Sequence, residues 1–380
     1  MRDPALLEEC RALQHVIERH RTLRELRGSP EWPEMAPRFA RVLARIHRHA
    51  PDTVSAGPAR ESLRAVHWNI EHGNWYAQVE HALRHHPALR DADVLFFDEV
   101  DLGMARAGNR DVTGDLARAL GRHGAWTPLF VETTIGRDDD ASTAGNSANE
   151  EGLFGIALLS RWPLGEVRRV TLPSPELVQY ELERMYGTHA ALIAEVLRPG
   201  APFVAVVAHL EVHRTRRHRA EQVATVMRAL EGERRPVLMA GDFNTHTFDR
   251  GSWTAPLAGA AALLLTPGET LRRRLQYPDQ GPQRELLFDE LARAGFAWRP
   301  FVDDRFSLQL RFARVEELQA LLGPLASPAA RALRILEPRA RLRLDWFAGR
   351  GWHAARGETV QGLDGPGRAS DHAPIVAEVW

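Results

Sequence analysis

Residues 236–244 read Pro-Val-Leu-Met-Ala-Gly-Asp-Phe-Asn, an apolar run that ends in a carboxylate and, two positions on, a carboxamide. In an extended chain, side chains at i and i+2 share a face, so Asp242 and Asn244 address one place together. Similar apolar runs end at Asn69 and Glu71, at Glu99, at His209, at Asp345, and at Asp371 with His372. One such ending arises by chance; a series of them in one chain does not. Hard divalent cations such as Mg2+ or Mn2+ take carboxylate and carboxamide oxygens and keep several waters, so a few ligands from separate strands suffice. Asn69, Glu99, Asp242 and Asp371 have that chemistry. His209 and His372 stand where an imidazole could touch a phosphate or its attacking water. Zinc is disfavoured, because the chain has one cysteine and no HExxH spacing.

The elements that must position these groups follow from periodicity. Alternation and apolar runs predict strands at 64–70, 93–98, 126–132, 153–160, 190–197, 202–209, 236–241, 342–348 and 373–379. Helices are predicted at 76–86, 111–123, 215–231, 284–294 and 314–322. Several successive strands leave too little chain for a helical crossover, which argues for an α/β (α+β) fold with mixed, largely antiparallel sheets and helices outside. Residues 5–50 read as helical, with Leu6, Cys10, Leu13 and Ile17 at helical spacing, and Pro51 to Pro58 reads as a linker. Residues 1–58 are therefore an expected N-terminal helical extension, with packing or partner contact as its role, and 59–380 the domain proper. Gly136 to Gly152 lacks periodicity and reads as a mobile, solvated acidic loop; Asp138 to Asp140 lack the ligand spacing of an EF-hand.

Composition narrows the class. The 380 residues are 44% hydrophobic, enough for a sizeable core, and no apolar run approaches the ~18 residues that span a bilayer. Cys10 is the single cysteine, which excludes an intramolecular disulfide and fits a reducing cytoplasm. The N-terminus runs into Glu8 and Glu9 rather than an apolar leader, so a cytoplasmic protein is expected. Net charge is −1, and all 49 basic residues are arginine. Clusters such as Arg214 to Arg219 or Arg272 to Arg274 are thus weak evidence for an anionic partner, and a neutral chain neither supports nor excludes nucleic acid.

Taken in order, these motifs resemble those of the endonuclease/exonuclease/phosphatase superfamily of metal-dependent phosphohydrolases, which includes pancreatic-type deoxyribonuclease and apurinic/apyrimidinic endonucleases. His67-Trp68-Asn69-Ile70-Glu71-His72-Gly73 is similar to its first motif, and Phe96-Phe97-Asp98-Glu99-Val100-Asp101 to its glutamate motif, with Phe97-Asp98 where Leu-Gln is commoner. Gly155 to Arg161 looks like the strand before the middle of the fold, and Ala208-His209-Leu210 like the Thr-His motif with Ala208 replacing threonine. Gly241-Asp242-Phe243-Asn244, Leu344-Asp345-Trp346-Phe347 and Ser370-Asp371-His372 match the last three. The resemblance runs from about Arg64 to Trp380.

The resemblance implies a four-layer sandwich of two packed mixed β-sheets flanked by helices, with the site at one sheet edge. It implies Mg2+ or Mn2+ as cofactor, Glu99 as principal ligand, and Asn69 and Asp371 completing or supporting the metal shell. Asp242 would orient or deprotonate water, Asn244 and His209 would hold the phosphate, and Asp345 would fix the tautomer of His372. Glu71 stands where apurinic-site nucleases carry an acidic residue and is a candidate for an outer-shell or second metal position. Arg184 precedes a strand at a place where relatives carry a phosphate-binding arginine. Arg106 and Asn109 follow the glutamate strand and could line the substrate mouth or cap the helix at 111. The implied reaction is hydrolysis of a phosphoester, with nucleic acid among the candidate substrates and no protein partner indicated. A phosphatase or phospholipase-C-like enzyme acting on inositol phosphates or lipid headgroups, and an inactive binding scaffold, remain as alternatives.

Overall fold

The computed structural model describes residues 3–51, 61–136, 139–174, 180, 184–250, 255–311, 323, 328, 331, 334–363 and 367–380. Fifteen strands lie within them: β1 His47–His49, β2 Leu63–Asn69, β3 Val94–Leu102, β4 His123–Glu132, β5 Leu153–Ser160, β6 Leu164–Thr171, β7 Met185–Gly187, β8 Ala190–Val196, β9 Phe203–Ala208, β10 Val237–Asp242, β11 Leu308–Gln309, β12 Arg341–Leu342, β13 Asp345–Arg350, β14 Ala355–Thr359 and β15 Ile375–Val379. The large sheet runs β1-β4-β5-β3-β2-β15-β14, with β7 also on β4; the small sheet runs β13-β10-β9-β8-β6; β11 and β12 pair separately. β2 and β3 are parallel, as are β9 and β10, while the other pairs are antiparallel. Both main sheets are mixed.

Side-chain alternation sorts the strands into layers. Leu63 and Ala65 of β2, Val94 and Phe96 of β3, Ala205 and Val207 of β9, Leu238 and Ala240 of β10 and Phe347 of β13 form one buried cluster between the sheets. Val66, Trp68, Leu95 and Phe97 face the other way, against helices of the large sheet. Val206, Met239, Trp346 and Ala348 face helices Arg216–Ala229 and Leu287–Arg293 on the small sheet's far side. The result is helix, sheet, sheet, helix, as the resemblance implied.

The inter-sheet rows turn polar at one edge. Leu63-Ala65-His67-Asn69, Val94-Phe96-Asp98, Phe203-Ala205-Val207-His209 and Leu238-Ala240-Asp242 each exchange apolar for polar side chains there. A bulge in β3 adds to this. Phe97 pairs with Ala157 and Val100 with Gly155, so Asp98 and Glu99 together oppose Ile156 alone. Glu99 adopts φ 53°, and this resets the alternation so that two adjacent carboxylates both serve the edge. Gly241 is needed for its size, since a Cβ there would lie 1.9 Å from the carbonyl oxygen of Ala208.

Several expectations are corrected. Helices α1 Pro4–Arg19, α2 Leu23–Gly28 and α3 Trp32–Leu43 do form, but His47–His49 is an edge strand on β4, not helix. Leu6, Cys10, Leu13, Ile17 and Phe39 share one apolar cluster with Val66, Trp68 and Phe97. The helical stripe thus covers the outer face of the large sheet. The expected linker falls mostly on residues 52–60, and the expected helix at 314–322 falls wholly outside the described residues. The strand expected at 342–348 begins at Asp345, because Leu342 pairs with Leu308 instead. The expected loop at 136–152 contains the helix Asp139–Ala144, and its end is held by Gln14 Nε2, which donates to the carbonyls of Glu150 at 2.9 Å and Glu151 at 3.0 Å. Among the described residues, no helix is long and apolar enough to cross a membrane.

Candidate active site

Asp242 and Asp345 end β10 and begin β13 as direct cross-strand partners, and Asn69, at the end of β2, pairs with Asp98 at the bulge of β3. Residues far apart in sequence therefore meet across the sheet edge. Asn69 Nδ2 donates to Glu99 Oε1 at 2.9 Å and lies 3.4 Å from Asp242 Oδ2. That same Asp242 oxygen is 3.8 Å from His209 Nε2 and 3.8 Å from His372 Nε2. Asp242 Oδ1 accepts from the backbone N–H of Asn244 at 2.8 Å, a tight turn helped by φ 49° at Asn244. Asn244 Nδ2 donates to the carbonyl of Leu210 at 2.7 Å, which orients the carboxamide. Ser370 Oγ donates to the Asn69 carbonyl at 2.6 Å and accepts from His372 N at 3.1 Å, tying the Ser-Asp-His turn to β2.

Asp345 is held from both sides. His372 Nδ1 is 2.8 Å from its Oδ2, and His67 Nε2 is 2.8 Å from its Oδ1. Asp242, Asp345 and His372 bring ligand-type atoms within 4.8 Å of one another. Both Asp345 oxygens already face imidazoles, however, which leaves this aspartate a poor cation ligand. Asn69 Oδ1 accepts from the backbone N–H of Glu71 at 3.1 Å, so its carboxamide turns Nδ2 rather than oxygen toward Glu99 and Asp242.

Charge follows burial. Burial, reinforced by the negative charge of Asp371, pushes Glu99 up to about 8. Burial and then Asp345 raise Asp242. Against the cost of burial, His372 and His67 hold the Asp345 carboxyl well below the usual range, while Asp345 and Asp242 hold His372 well above the usual imidazole value. Burial, with His189 and His372 nearby, pushes His209 down to about 3, so it is neutral at physiological pH. At Glu99 and Asp242 burial outweighs the favourable charge of His372 beside them.

Other residues expected at the site have different partners. Arg184 donates to the carbonyls of Ile17 at 2.5 Å and Arg21 at 2.8 Å, capping α1. Glu71 Oε1 accepts from Arg368 Nη2 at 2.8 Å. Asn109 binds the loop after the helix Asp139–Ala144, its Nδ2 donating to the Ala148 carbonyl at 2.9 Å and its Oδ1 accepting from Glu150 N at 3.3 Å. Arg106 is buried between Asp101 (2.7 and 3.1 Å) and Glu132 (2.8 and 3.2 Å), with Asp140 at 3.6 Å. Arg106→Met leaves those carboxylates without their cation and is expected to cost about 3–5 kcal/mol, measured by urea unfolding at fixed pH.

Three residues not selected from sequence join the cluster. His67 and Asp98 lie inside motifs but read as strand interior. Asp98 Oδ2 accepts from the backbone N–H of Asp242 at 2.6 Å, and burial pushes its carboxyl up to about 7. His72, at φ 65°, places Nε2 3.4 Å from Glu99 Oε2 and Nδ1 3.7 Å from Asp101 Oδ1. Polar residues inside otherwise apolar rows are the available signal for the first two.

The profile of the endonuclease/exonuclease/phosphatase family matches residues 66–372. No curated protein matches the chain. Similar solved structures include an endonuclease/exonuclease/phosphatase from Beutenbergia cavernae DSM 12333, 16% identical over 84% of this chain and 72% of that one, TM-score 0.48. The human Nocturnin catalytic domain with bound sulfate is 17% identical over 85% and 95%, TM-score 0.45. Sphingomyelinase C from Streptomyces griseocarneus is 14% identical over 84% and 99%, TM-score 0.46.

Proposed function

This chain belongs to the endonuclease/exonuclease/phosphatase family, and from that membership and the geometry of its sheet edge we propose that it hydrolyses phosphodiesters with Mg2+ or Mn2+. One observation carries the reading: a single oxygen, Asp242 Oδ2, faces Asn69, His209 and His372 at 3.4, 3.8 and 3.8 Å. Glu99 and Asp371 would hold the cation, with Asn69 supporting the shell through its bond to Glu99, and the upward push on half-buried Glu99 fits a site built for one. When bound, the ion supplies Lewis-acid polarisation of a phosphoryl oxygen and neutralises developing charge.

The chain's own groups do the rest. Asp242 orients the attacking water, and its raised proton affinity suits it to take a proton. Neutral His209 and the second amide hydrogen of Asn244 donate to phosphate oxygens. His372, fixed through Nδ1 by Asp345, presents Nε2 to the same place and adds positive charge. Arg106 and Arg368 are engaged with carboxylates, while His372 Nε2 lies 3.8 Å from Asp242 Oδ2 and brings its positive charge to the reacting position. A diester monoanion suits that modest positive charge better than a monoester, which carries close to two charges at neutral pH.

The test is hydrolysis of bis(p-nitrophenyl) phosphate against p-nitrophenyl phosphate, with Mg2+, Mn2+ or EDTA. Faster diester cleavage that EDTA abolishes is expected; preferential monoester cleavage would reverse the assignment. Plasmid DNA, RNA, sphingomyelin and glycerophospholipid then sort the substrate class.

Stability offers a second readout. Glu99 is pushed from 4.5 to about 8 in the fold, so the folded chain keeps a proton that the unfolded chain releases. Between those values the unfolded state binds fewer protons, and this group makes stability fall as pH rises. The metal-free protein is expected to melt lower at pH 8 than at pH 6, and Mn2+ to raise Tm more at pH 8. Equal shifts at both pH values would argue against Glu99 as a ligand.

A further inference from the structure

We propose that His67 and Asp98 are positioning residues that fix the two aspartates of the small sheet from the large one, Asp345 by its carboxylate and Asp242 by its backbone. The catalytic half of this inference rests on the hydrolase reading; the structural half does not. His67 continues the inter-sheet row Leu63-Ala65, and Asp98 continues Val94-Phe96, and both are fully buried. Packing alone calls for an aliphatic side chain at either place. A buried imidazole or carboxyl is costly unless it is hydrogen-bonded.

Each makes one directed contact across the sheet interface. His67 Nε2 meets Asp345 Oδ1 at 2.8 Å, and Asp98 Oδ2 accepts from Asp242 N at 2.6 Å. Among the described residues, the other polar atom of each, His67 Nδ1 and Asp98 Oδ1, is buried without a hydrogen-bond partner. Burying such an atom destabilises the fold, so stability does not account for these two residues. Their targets are the cross-strand partners Asp242 and Asp345. One large-sheet side chain thus holds the side chain of one and the other holds the backbone of its partner.

The consequence is angular. With His372 alone, Asp345 could turn about its Cβ–Cγ bond and offer either oxygen to the imidazole. With His67 on Oδ1, Oδ2 is committed to His372 Nδ1, and His372 Nε2 stays aimed at Asp242 Oδ2. Sliding the sheets relative to one another would break both large-sheet contacts. Neither residue needs to touch substrate.

The test compares His67→Leu, which fills space without a donor, with His67→Gln, whose amide can donate to Asp345. Asp98→Leu is paired in the same way with Asp98→Asn, which keeps an acceptor oxygen. Rates on bis(p-nitrophenyl) phosphate with Mn2+ are read beside the downfield imidazole N–H resonance of His372 in 15N-histidine-labelled protein. His67→Leu is expected to lower kcat about 30-fold or more, since misplacing reacting groups by an ångström can cost 10²-fold. KM should stay within about 3-fold, the Mn2+-induced rise in Tm should persist, and the His372 resonance should move; His67→Gln should restore most of the rate and the resonance. If His67→Leu merely melts lower, with kcat and the resonance unchanged, His67 is core packing and the proposal fails. Should the leucine variants not fold, the same readouts are taken on His67→Asn, whose shorter amide should miss Asp345 and lower kcat; unchanged kcat there overturns the proposal. Wild-type protein inert on the diester would end the phosphodiester reading, while the resonance would still decide the positioning.

Discussion

Glu99→Gln is expected to reduce phosphodiester hydrolysis about 10³-fold or more while making the metal-free protein more heat-stable. The two effects share one cause. The substituted carboxamide keeps the shape and can still accept from Asn69 Nδ2, but it lacks the charge that would hold a divalent cation. Burial and Asp371 make that charge unfavourable in the fold, and its removal relieves the cost above the pH where Glu99 ionises. The metal-free Tm at pH 8 should therefore rise by ~2 °C, and the Mn2+-dependent rise should disappear. Wild-type rates in Glu99→Gln, or a wild-type thermal response to Mn2+, would remove Glu99 from the metal shell.

The second large effect is expected from Asp345→Asn. Both carboxylate oxygens face imidazole nitrogens at 2.8 Å, one from His372 and one from His67. A carboxamide offers one oxygen and one N–H₂, so one of the two rings must change tautomer or lose its bond. Elsewhere the corresponding change in a carboxylate–imidazole pair lowers kcat by about 10⁴-fold, and a loss of about 10³-fold or more is expected here, with KM little changed. The positive charge of His372 depends on Asp345, so the imidazole limb of the pH–rate profile should move to lower pH. Steady-state kinetics across pH 5–9 measure both. Retention of wild-type kcat would show that His372 acts without its aspartate.

Arginine placement shows where local reading stops. Arg184 and Arg106 both border strands of the motif series; the resemblance offered Arg184 a phosphate, and Arg106 either the substrate mouth or the cap of the helix at 111. The fold instead gives Arg184 to the carbonyls of Ile17 and Arg21, in the last turn of α1 and just past it, and seals Arg106 between two buried carboxylates. With arginine as the only long cation in the chain, structural and ligand-binding roles share one residue type. Only the partner distinguishes them.

The sequence by itself located the strands that carry the site, which face of each is apolar, and where each inter-sheet row turns polar; β6 and β14, which carry none of the motifs, it did not show. Side-chain period is a local property, so Asn69, His209, Asp242, Asn244 and Asp345 could be placed at strand ends without coordinates. Glu99, Asp371 and His372 also close apolar runs, and motif order added the roles of each. The tertiary structure alone decided who meets whom. His67 reaches Asp345 from 278 positions away, a contact set by the stacking of two sheets and invisible to any short window. The β3 bulge decided that adjacent Asp98 and Glu99 both serve the sheet edge, because one inserted residue inverts the alternation that sequence reading depends on. It was also the fold that set the N-terminal helices into the main core, since an apolar stripe says that a helix must be covered but not by which surface.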